Sequence, residues 1–416
     1  MTEKDRMSTL LSIVSEMRRL FFLFVCCFSM GTSLLAQEGS YAVNILKPCY
    51  FSVQVPDGNY KVTVTVGSKK RAGQTVIRAE SRRLMVEMAT TRKKQQIDYS
   101  FIVNKRSPKY DYILPSSQTK QEGVVKIKDR EKDYLNWDDS LTLEFSGPAP
   151  AVSHIKIERD TSATTIFLCG NSTVVDQNDE PWASWGQMIP RWFGPEVAIS
   201  NHAESGLTAR TFLGSNRLEK ILSMMKRGDY VVCEFGHNDE KEHRPGDGPW
   251  YHYVYNLKIF IDKVREKGGN LIFCTPTQRR AWEDDNRTLK MTHGEFPDAM
   301  KWVAEKEKVP VIDLNMMTKV FFETLGFEDS KRALVHYPAH TWPGQEKELA
   351  DNTHFNPYGA YEVSKMVVMG MKRLQLPFIQ FLRGDWCDYD PSQPDDFHSW
   401  KWYPSMKSDL SKPAGS

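Results

Sequence analysis

The sequence predicts an α/β domain built on a parallel sheet and preceded by an antiparallel β-sandwich. Three observations predict it. The 416 residues suffice for two domains of ~100–200 residues each. From about 38 to 160 apolar residues alternate with polar ones, and no helical period is evident. From 161 to 373 short apolar, β-rich runs alternate with stretches whose apolar residues recur at helical spacing. That is the pattern of βαβ units with right-handed crossovers.

Residues 1–36 read as a secretory signal peptide. Arg18 and Arg19 form its positive region, Leu20 to Met30 an apolar core of 11 residues, and Ser33-Leu34-Leu35-Ala36 a cleavage site before Gln37. Residues 1–16 are superfluous to that signal, so translation from Met17 is an expectation. The apolar run is shorter than the ~20 residues a spanning helix needs, so no membrane span is expected after cleavage. The mature protein is expected to be secreted or periplasmic. Cys26 and Cys27 leave with the signal, and an odd five of the 7 cysteines remain. Cys169, Cys233 and Cys274 lie inside apolar strand-like runs, as small buried thiols do.

In the β-rich domain, residues 37–160, Phe51, Val53 and Val55 alternate with polar partners. Tyr60, Val62, Val64 and Val66 do the same after Pro56-Asp57-Gly58, which predicts a hairpin. Further strands are expected at Leu84–Met88, Val124–Lys128, Leu141–Phe145 and His154–Glu158, with a turn at Gly147-Pro148-Ala149-Pro150. In the α/β domain, residues 161–373, the expected strands are Thr164–Cys169, Val197–Ser200, Tyr230–Phe235, Leu271–Thr275 and Val309–Asp313. Leu218, Ile221, Leu222 and Met225 make one helical face, and Leu257, Phe260, Ile261 and Val264 another. Ala299, Met300 and Val303 belong to a third. Residues 374–416, rich in Trp, Asp and Pro, read as an irregular extension.

Composition narrows the function. A net charge of +2 leaves no surplus to draw nucleic acid. The 11 Trp, 16 Tyr and 21 Phe fit a carbohydrate-handling protein, although large cores use aromatics too. Ligand-binding groups of open α/β sheets gather at the carboxyl ends of the strands, and four polar clusters fall there. Gly170-Asn171-Ser172-Thr173 follows the first strand and presents a serine hydroxyl, or is only a capped turn. Asn201-His202-Ala203-Glu204-Ser205-Gly206 follows the second and ends in a glycine that a ligand can approach closely, or in an ordinary turn. Gly236-His237-Asn238-Asp239 offers an amide donor for an oxyanion, or an Asx-turn. Asp351-Asn352-Thr353-His354 spaces a carboxylate and an imidazole to meet on one side of a tight turn. A serine needs such a base, and the base needs such an orienting partner. The alternative for that pair is an acidic helix start with an incidental histidine.

Taken together, the four clusters resemble the SGNH, or GDSL-like, hydrolase superfamily, with its nucleophile, glycine, G-x-N-D and D-x-x-H blocks. The resemblance covers roughly residues 162–373. It is most similar to the rhamnogalacturonan acetylesterase branch, on four features. These are Gly170-Asn171-Ser172-Thr173, Asn201-His202-Ala203 leading to Gly206, Thr275-Pro276 followed by Arg279-Arg280, and Asp351-Asn352-Thr353-His354-Phe355. The resemblance implies a three-layer α/β/α sandwich with a five-stranded parallel sheet, matching the five strands read above. It implies Ser172 as nucleophile, His354 as base and Asp351 as its orienter. The Ser172 and Gly206 N–H groups and the Asn238 amide would form the oxyanion hole, with no cofactor and no metal. Asn171 departs from the Asp in the superfamily name. The β-rich part is similar to the galactose-binding-like domain of two-domain bacterial members, on Tyr134–Phe145. Arg279 and Arg280 follow the fourth strand; they either bind substrate carboxylates or pair with Glu283, Asp284 and Asp285.

The reading is a serine esterase that removes acetyl groups from cell-wall polysaccharide, most directly acetylated rhamnogalacturonan, with the glycan as its partner. The alternatives are another acetylated glycan such as acetylxylan, a lipid ester or thioester, or a non-catalytic carbohydrate-binding protein. A metallophosphoesterase lacks its partner motifs here. The β-rich domain carries none of the chemistry in this reading, so residues 161–416 alone are expected to hydrolyse a small acetyl ester.

Overall fold

Alternating burial marks strands of the N-terminal half in the computed structural model, which describes residues 38–412, position 115 excepted. The signal segment, Cys26 and Cys27 lie outside the described residues. Strands β1 (Gly39–Ile45), β2 (Cys49–Gln54), β3 (Gly58–Val66), β4 (Gly73–Ala79), β5 (Arg83–Thr91) and β6 (Ile97–Lys105) come first. Next come β7 (Lys109–Leu114), β8 (Thr119–Val124), β9 (Ser140–Ala149) and β10 (Val152–Asp160). They form two four-stranded antiparallel sheets, β1-β10-β3-β6 and β2-β9-β4-β5, and a β7-β8 ribbon. Tyr60, Val62, Val64 and Val66 of β3, Ile155 and Ile157 of β10, and Leu141, Leu143 and Phe145 of β9 are all buried.

Three local expectations are corrected. The runs at 51–55 and 60–66 do not pair as a hairpin: β2 pairs with β9, and β3 with β10 and β6. Pro56-Asp57 carries the chain from one sheet to the other. Period-two burial is the same whether two strands share a sheet or belong to different ones, so alternation does not choose between them. Val124–Lys128 is not a strand; β8 stops at Val124, and the next N–H groups go to Pro108 O and Ser215 O. The Gly147–Pro150 stretch is not a turn throughout. Strand β9 runs on to Ala149 through a register irregularity opposite Gln74–Val76, where Gly147 adopts φ +104°.

The C-terminal part is a three-layer α/β/α sandwich. Five parallel strands lie in the order β12-β11-β13-β14-β15, comprising β11 (Thr164–Gly170), β12 (Val197–Asn201), β13 (Tyr230–Glu234), β14 (Asn270–Cys274) and β15 (Val311–Ile312). Successive side chains point to opposite faces, and the core divides accordingly. Ile166, Leu168, Val232, Ile272 and Cys274 pack with helices α4 (Leu314–Asp329) and α5 (Pro357–Arg373). Phe167, Cys169, Val231, Cys233, Leu271 and Phe273 pack on the other side. There they meet α1 (Arg217–Met224), α2 (Val254–Glu266) and α3 (Phe296–Glu307). Cys169, Cys233 and Cys274 are buried thiols. A short antiparallel pair, β16 (Leu334–Tyr337) and β17 (Leu349–Phe355), precedes α5.

Buried ion pairs cross between the β-rich and α/β parts. Arg83 Nε meets Asp176 at 2.6 Å and Arg217 meets Glu131 at 2.6 Å, both pairs fully buried, while Lys220 meets the part-exposed Asp57 at 2.5 Å. Removing one partner of a fully buried pair strands a buried charge, which costs several kcal/mol (~3–5). Past Leu382 the chain is irregular and packs across both parts. Phe397 and Trp400 lie against Tyr358, and Trp402 lies under Arg78. Among the described residues, no helix is long and apolar enough to cross a membrane.

Candidate active site

Where β11 ends, the chain turns tightly at Gly170-Asn171-Ser172-Thr173. Asn171 O accepts the N–H groups of Val174 and Val175, at 3.1 and 3.0 Å. Its side-chain Oδ1 accepts from Thr173 N at 3.1 Å and Thr173 Oγ1 at 3.0 Å. A Cβ on Gly170 would sit 2.5 Å from Val174 Cγ2 and 2.9 Å from Glu234 O, so only glycine lets the turn close against β13. The turn leaves Ser172 only 4% exposed, with Oγ 2.9 Å from His354 Nε2.

His354 and Asp351 both lie on β17, three residues apart, where a regular strand would hold them on opposite faces. The strand bulges instead: Leu334 pairs with Phe355 and His336 with Ala350, so residues 351–354 face a single partner position. Asp351 Oδ1 gathers the N–H groups of Thr353 and His354, each at 2.8 Å, and Oδ2 lies 2.9 Å from His354 Nδ1. Just beyond, Asn356 caps α5 by accepting from Gly359 N at 3.1 Å, with Pro357 as the first helical residue. Burial pushes the Asp351 carboxyl up. Its hydrogen bond to His354, the imidazole's charge and the two N–H groups outweigh that and hold it well below the usual carboxylate range. An ionised carboxylate only accepts, so Nδ1 carries the proton and Nε2 presents a lone pair to the Ser172 hydroxyl. This arrangement can take the Ser172 proton.

Acidification tests that assignment. Activity is expected to fall on acidification because the base must be neutral to act, and Asp351, which stays charged across the mildly acid range, is not the group responsible. A rate profile flat from about pH 8 to about 4.5 would contradict a histidine base. Burial pushes the Glu234 carboxyl up to about 7, so Glu234→Gln is the control variant, and it should keep the acid limb.

The other expected residues follow from the strand order. The sheet reverses direction of progression at β11, the place where open α/β sheets open a crevice. Ser172, Gly206 and Asn238 follow β11, β12 and β13, three adjacent strands. The three loops are tied together: Glu204 N donates to Gly170 O at 3.3 Å, and Asn238 Nδ2 donates to Leu207 O at 3.2 Å. Asn201 Nδ2 reaches Val174 O at 2.6 Å and Asp176 Oδ1 at 2.8 Å. Gly206 adopts φ +77°, which favours glycine.

The arginines behave differently from each other and from expectation. Neither pairs with Glu283, Asp284 or Asp285 in the ion pairs seen. Arg280 is 7% exposed and donates to Ser330 Oγ at 2.9 Å, Asn352 Oδ1 at 3.3 Å and Phe327 O. Its backbone N–H bonds Asn352 O at 2.8 Å, so it braces the 351–354 bulge from within. Arg279 pairs with Glu240 and donates to His237 O at 3.1 Å.

Several participants escape sequence reasoning. Glu234, fully buried at the end of β13, lies 2.8 Å from Thr173 Oγ1 and accepts from Trp185 Nε1 and Thr277 N, and so seats the turn that carries Ser172. A lone acid ending an apolar strand is the signal that marks it. Trp182 meets the His354 ring edge-on at 5.7 Å, and Lys412 Nζ lies 3.1 Å from Asp351 Oδ2. Among the described residues, Glu242, Asp247 and His252 form the one trio spaced for a cation. Arg210 pairs with both of its carboxylates.

A model of the GDSL-like Lipase/Acylhydrolase family matches residues 168–360. The rhamnogalacturonan acetylesterase RhgT of Bacillus subtilis (strain 168) is 41% identical over 214 residues, covering 51% of this chain and 91% of that protein. The probable rhamnogalacturonan acetylesterase YesY of the same organism is 31% identical over 224 residues, covering 52% of this chain and 97% of that one. The crystal structure of YxiM from Bacillus subtilis superposes with a TM-score of 0.46 and 24% identity, covering 79% of this chain and 81% of that one.

Proposed function

The chain belongs to the GDSL-like, or SGNH, hydrolase family, and from that premise we propose that it is a serine esterase that deacetylates rhamnogalacturonan. The observation that carries the proposal is the chain of contacts from Ser172 Oγ to His354 Nε2 and from His354 Nδ1 to Asp351, each 2.9 Å. His354 takes the Ser172 proton as Oγ attacks the acetyl carbonyl. The resulting oxyanion meets the N–H groups of Ser172 and Gly206 and the Asn238 amide. The tetrahedral centre collapses, the imidazolium gives its proton to the departing sugar oxygen, and the acetyl group stays on Ser172. Water, deprotonated by His354, then attacks the acyl-enzyme and releases acetate and the free serine.

The substrate rests on the two acetylesterase relatives. Of the arginine pair, only Arg279 is kept as a contact for galacturonate carboxylates. The enzyme is expected to release acetate faster from acetylated rhamnogalacturonan than from acetylxylan at equal acetyl concentration. The reverse preference would keep the esterase and overturn the pectic substrate. A polymeric substrate calls for an enzyme outside the cytoplasm, so we propose export through the 1–36 signal. Terminal sequencing of protein from the expressing cell's exterior or periplasm should begin near Gln37, and an intact Met1 or Met17 terminus there would refute it.

A further inference from the structure

A peptide unit is planar, and in its trans form the C=O and N–H point in opposite directions. Fixing a carbonyl oxygen therefore fixes where the following N–H points. The Ser205–Gly206 peptide is trans, and Gly206, with φ +77° and no Cβ, lets that plane rotate freely unless something holds it. Two cations hold it. Lys128 Nζ donates to Ser205 O at 2.5 Å and Arg130 Nη2 donates to it at 2.9 Å. Both come from the β-rich domain, in the connection between β8 and β9. We infer that this domain builds part of the esterase site, with Lys128 and Arg130 as positioning residues that aim the Gly206 N–H at the oxyanion. The inference rests on the oxyanion reading proposed above.

The surroundings are built for that task. Arg130 Nε also reaches Glu204 Oε1 at 2.9 Å, and Glu204 is only 2% exposed, so the guanidinium is gripped on two sides. The connection is itself rigid: Glu131 Oε2 accepts Lys128 N at 2.8 Å, and Glu131 Oε1 accepts Trp137 Nε1 at 3.0 Å. Glu131 binds Arg217 through both carboxylate oxygens, at 2.7 and 2.6 Å, and Arg217 holds His202 O at 3.1 Å. The loop after β12 is thus pinned at carbonyls 202 and 205. Cations on Ser205 O also polarise the peptide, which makes the Gly206 N–H a stronger donor. Residues 161–416 alone lack this clamp, in contrast to the expectation drawn from sequence.

The test uses the full chain and p-nitrophenyl acetate. Lys128→Gln and Arg130→Gln should each lower kcat about 10-fold, and the double variant about 10²-fold, the scale of losing one oxyanion donor. KM and the position of the acid limb should stay unchanged, because neither the triad nor ground-state binding is touched. Arg130→Lys should recover part of the loss. A purely structural role would lower the melting temperature and leave kcat of the folded protein intact, and that result overturns the inference. If the double variant does not fold, Lys128→Gln decides, because it leaves Arg130 and Glu204 paired. Wild-type kcat there also overturns it. Asn238→Ala separates the two readings, with an expected loss of about 10²–10³ in kcat. A silent Asn238→Ala would overturn the oxyanion reading itself. A costly Asn238→Ala beside silent Lys128 and Arg130 variants would overturn the clamp alone.

Discussion

Replacing Ser172 by alanine is expected to lower turnover of an acetyl ester by roughly 10³-fold or more while the protein stays folded. The substitution removes one atom, the Oγ that lies 2.9 Å from His354 Nε2. It leaves the Ser172 carbonyl, which accepts from Gln177 Nε2 at 2.9 Å, and the backbone of the turn. The hydrogen bond that is lost contributes about 1 kcal/mol to stability, against the roughly 5–15 kcal/mol typical of a folded protein. Turnover and stability should therefore separate. KM should change little, because what is removed is the attacking oxygen, whose contribution is made in the transition state and not in the binding of a small acetyl ester. Steady-state kinetics and a thermal melt on the same preparation check both halves. Hydrolysis at the wild-type rate would remove Ser172 from the mechanism.

Much of this site was legible in the sequence because its parts are local. Ser172 and Asn238 each follow directly on an apolar strand. Such strands read as runs without alternation because both of their faces are covered by helices. Asp351 and His354 are near neighbours in the chain, so one local bulge is enough to bring them together. The β-rich half was less legible. Alternation marks which residues of β2 and β3 turn inward, but both lie over one interior whether or not they pair. The crossover at Pro56-Asp57 is decided by distant partners, with Asp57 bonded to Ser107, Lys105 and Lys220. Arg280 was misread for a related reason. The acidic residues of its own loop are the partners its sequence suggests, yet the carbonyl of Phe327 and the hydroxyl of Ser330 hold it from another element. Lys128 and Arg130 left no local trace at all, since their role is set by a carbonyl about 75 residues further along the chain.

Replacing Asp351 by asparagine is expected to lower turnover by about 10³–10⁴ although the two side chains have nearly the same shape. The bulge explains why shape is not enough. Oδ1 of residue 351 accepts from the N–H groups of Thr353 and His354, each at 2.8 Å, and two donors there require an oxygen, not an NH2, at that position. The amide oxygen of asparagine must take that position, so its NH2 faces His354 Nδ1. A donor there makes Nδ1 the acceptor and moves the ring proton to Nε2. The imidazole then presents an N–H, not a lone pair, to Ser172 and cannot receive its proton. The loss is therefore one of tautomer, with the loop geometry kept. Stability responds on a different axis. The Asp351 pKa is depressed in the folded protein, so its contribution to stability is present above the unfolded carboxylate's pKa. That contribution is lost as pH falls through the folded value. Near neutrality the wild type should thus hold some stability from this carboxylate that the asparagine variant lacks, and the difference should shrink in strong acid. Kinetics together with melts at neutral and acid pH measure both. Turnover within a few-fold of wild type in folded Asp351→Asn protein would mean that Asp351 only shapes the 351–354 bulge. Another group would then have to hold the His354 tautomer.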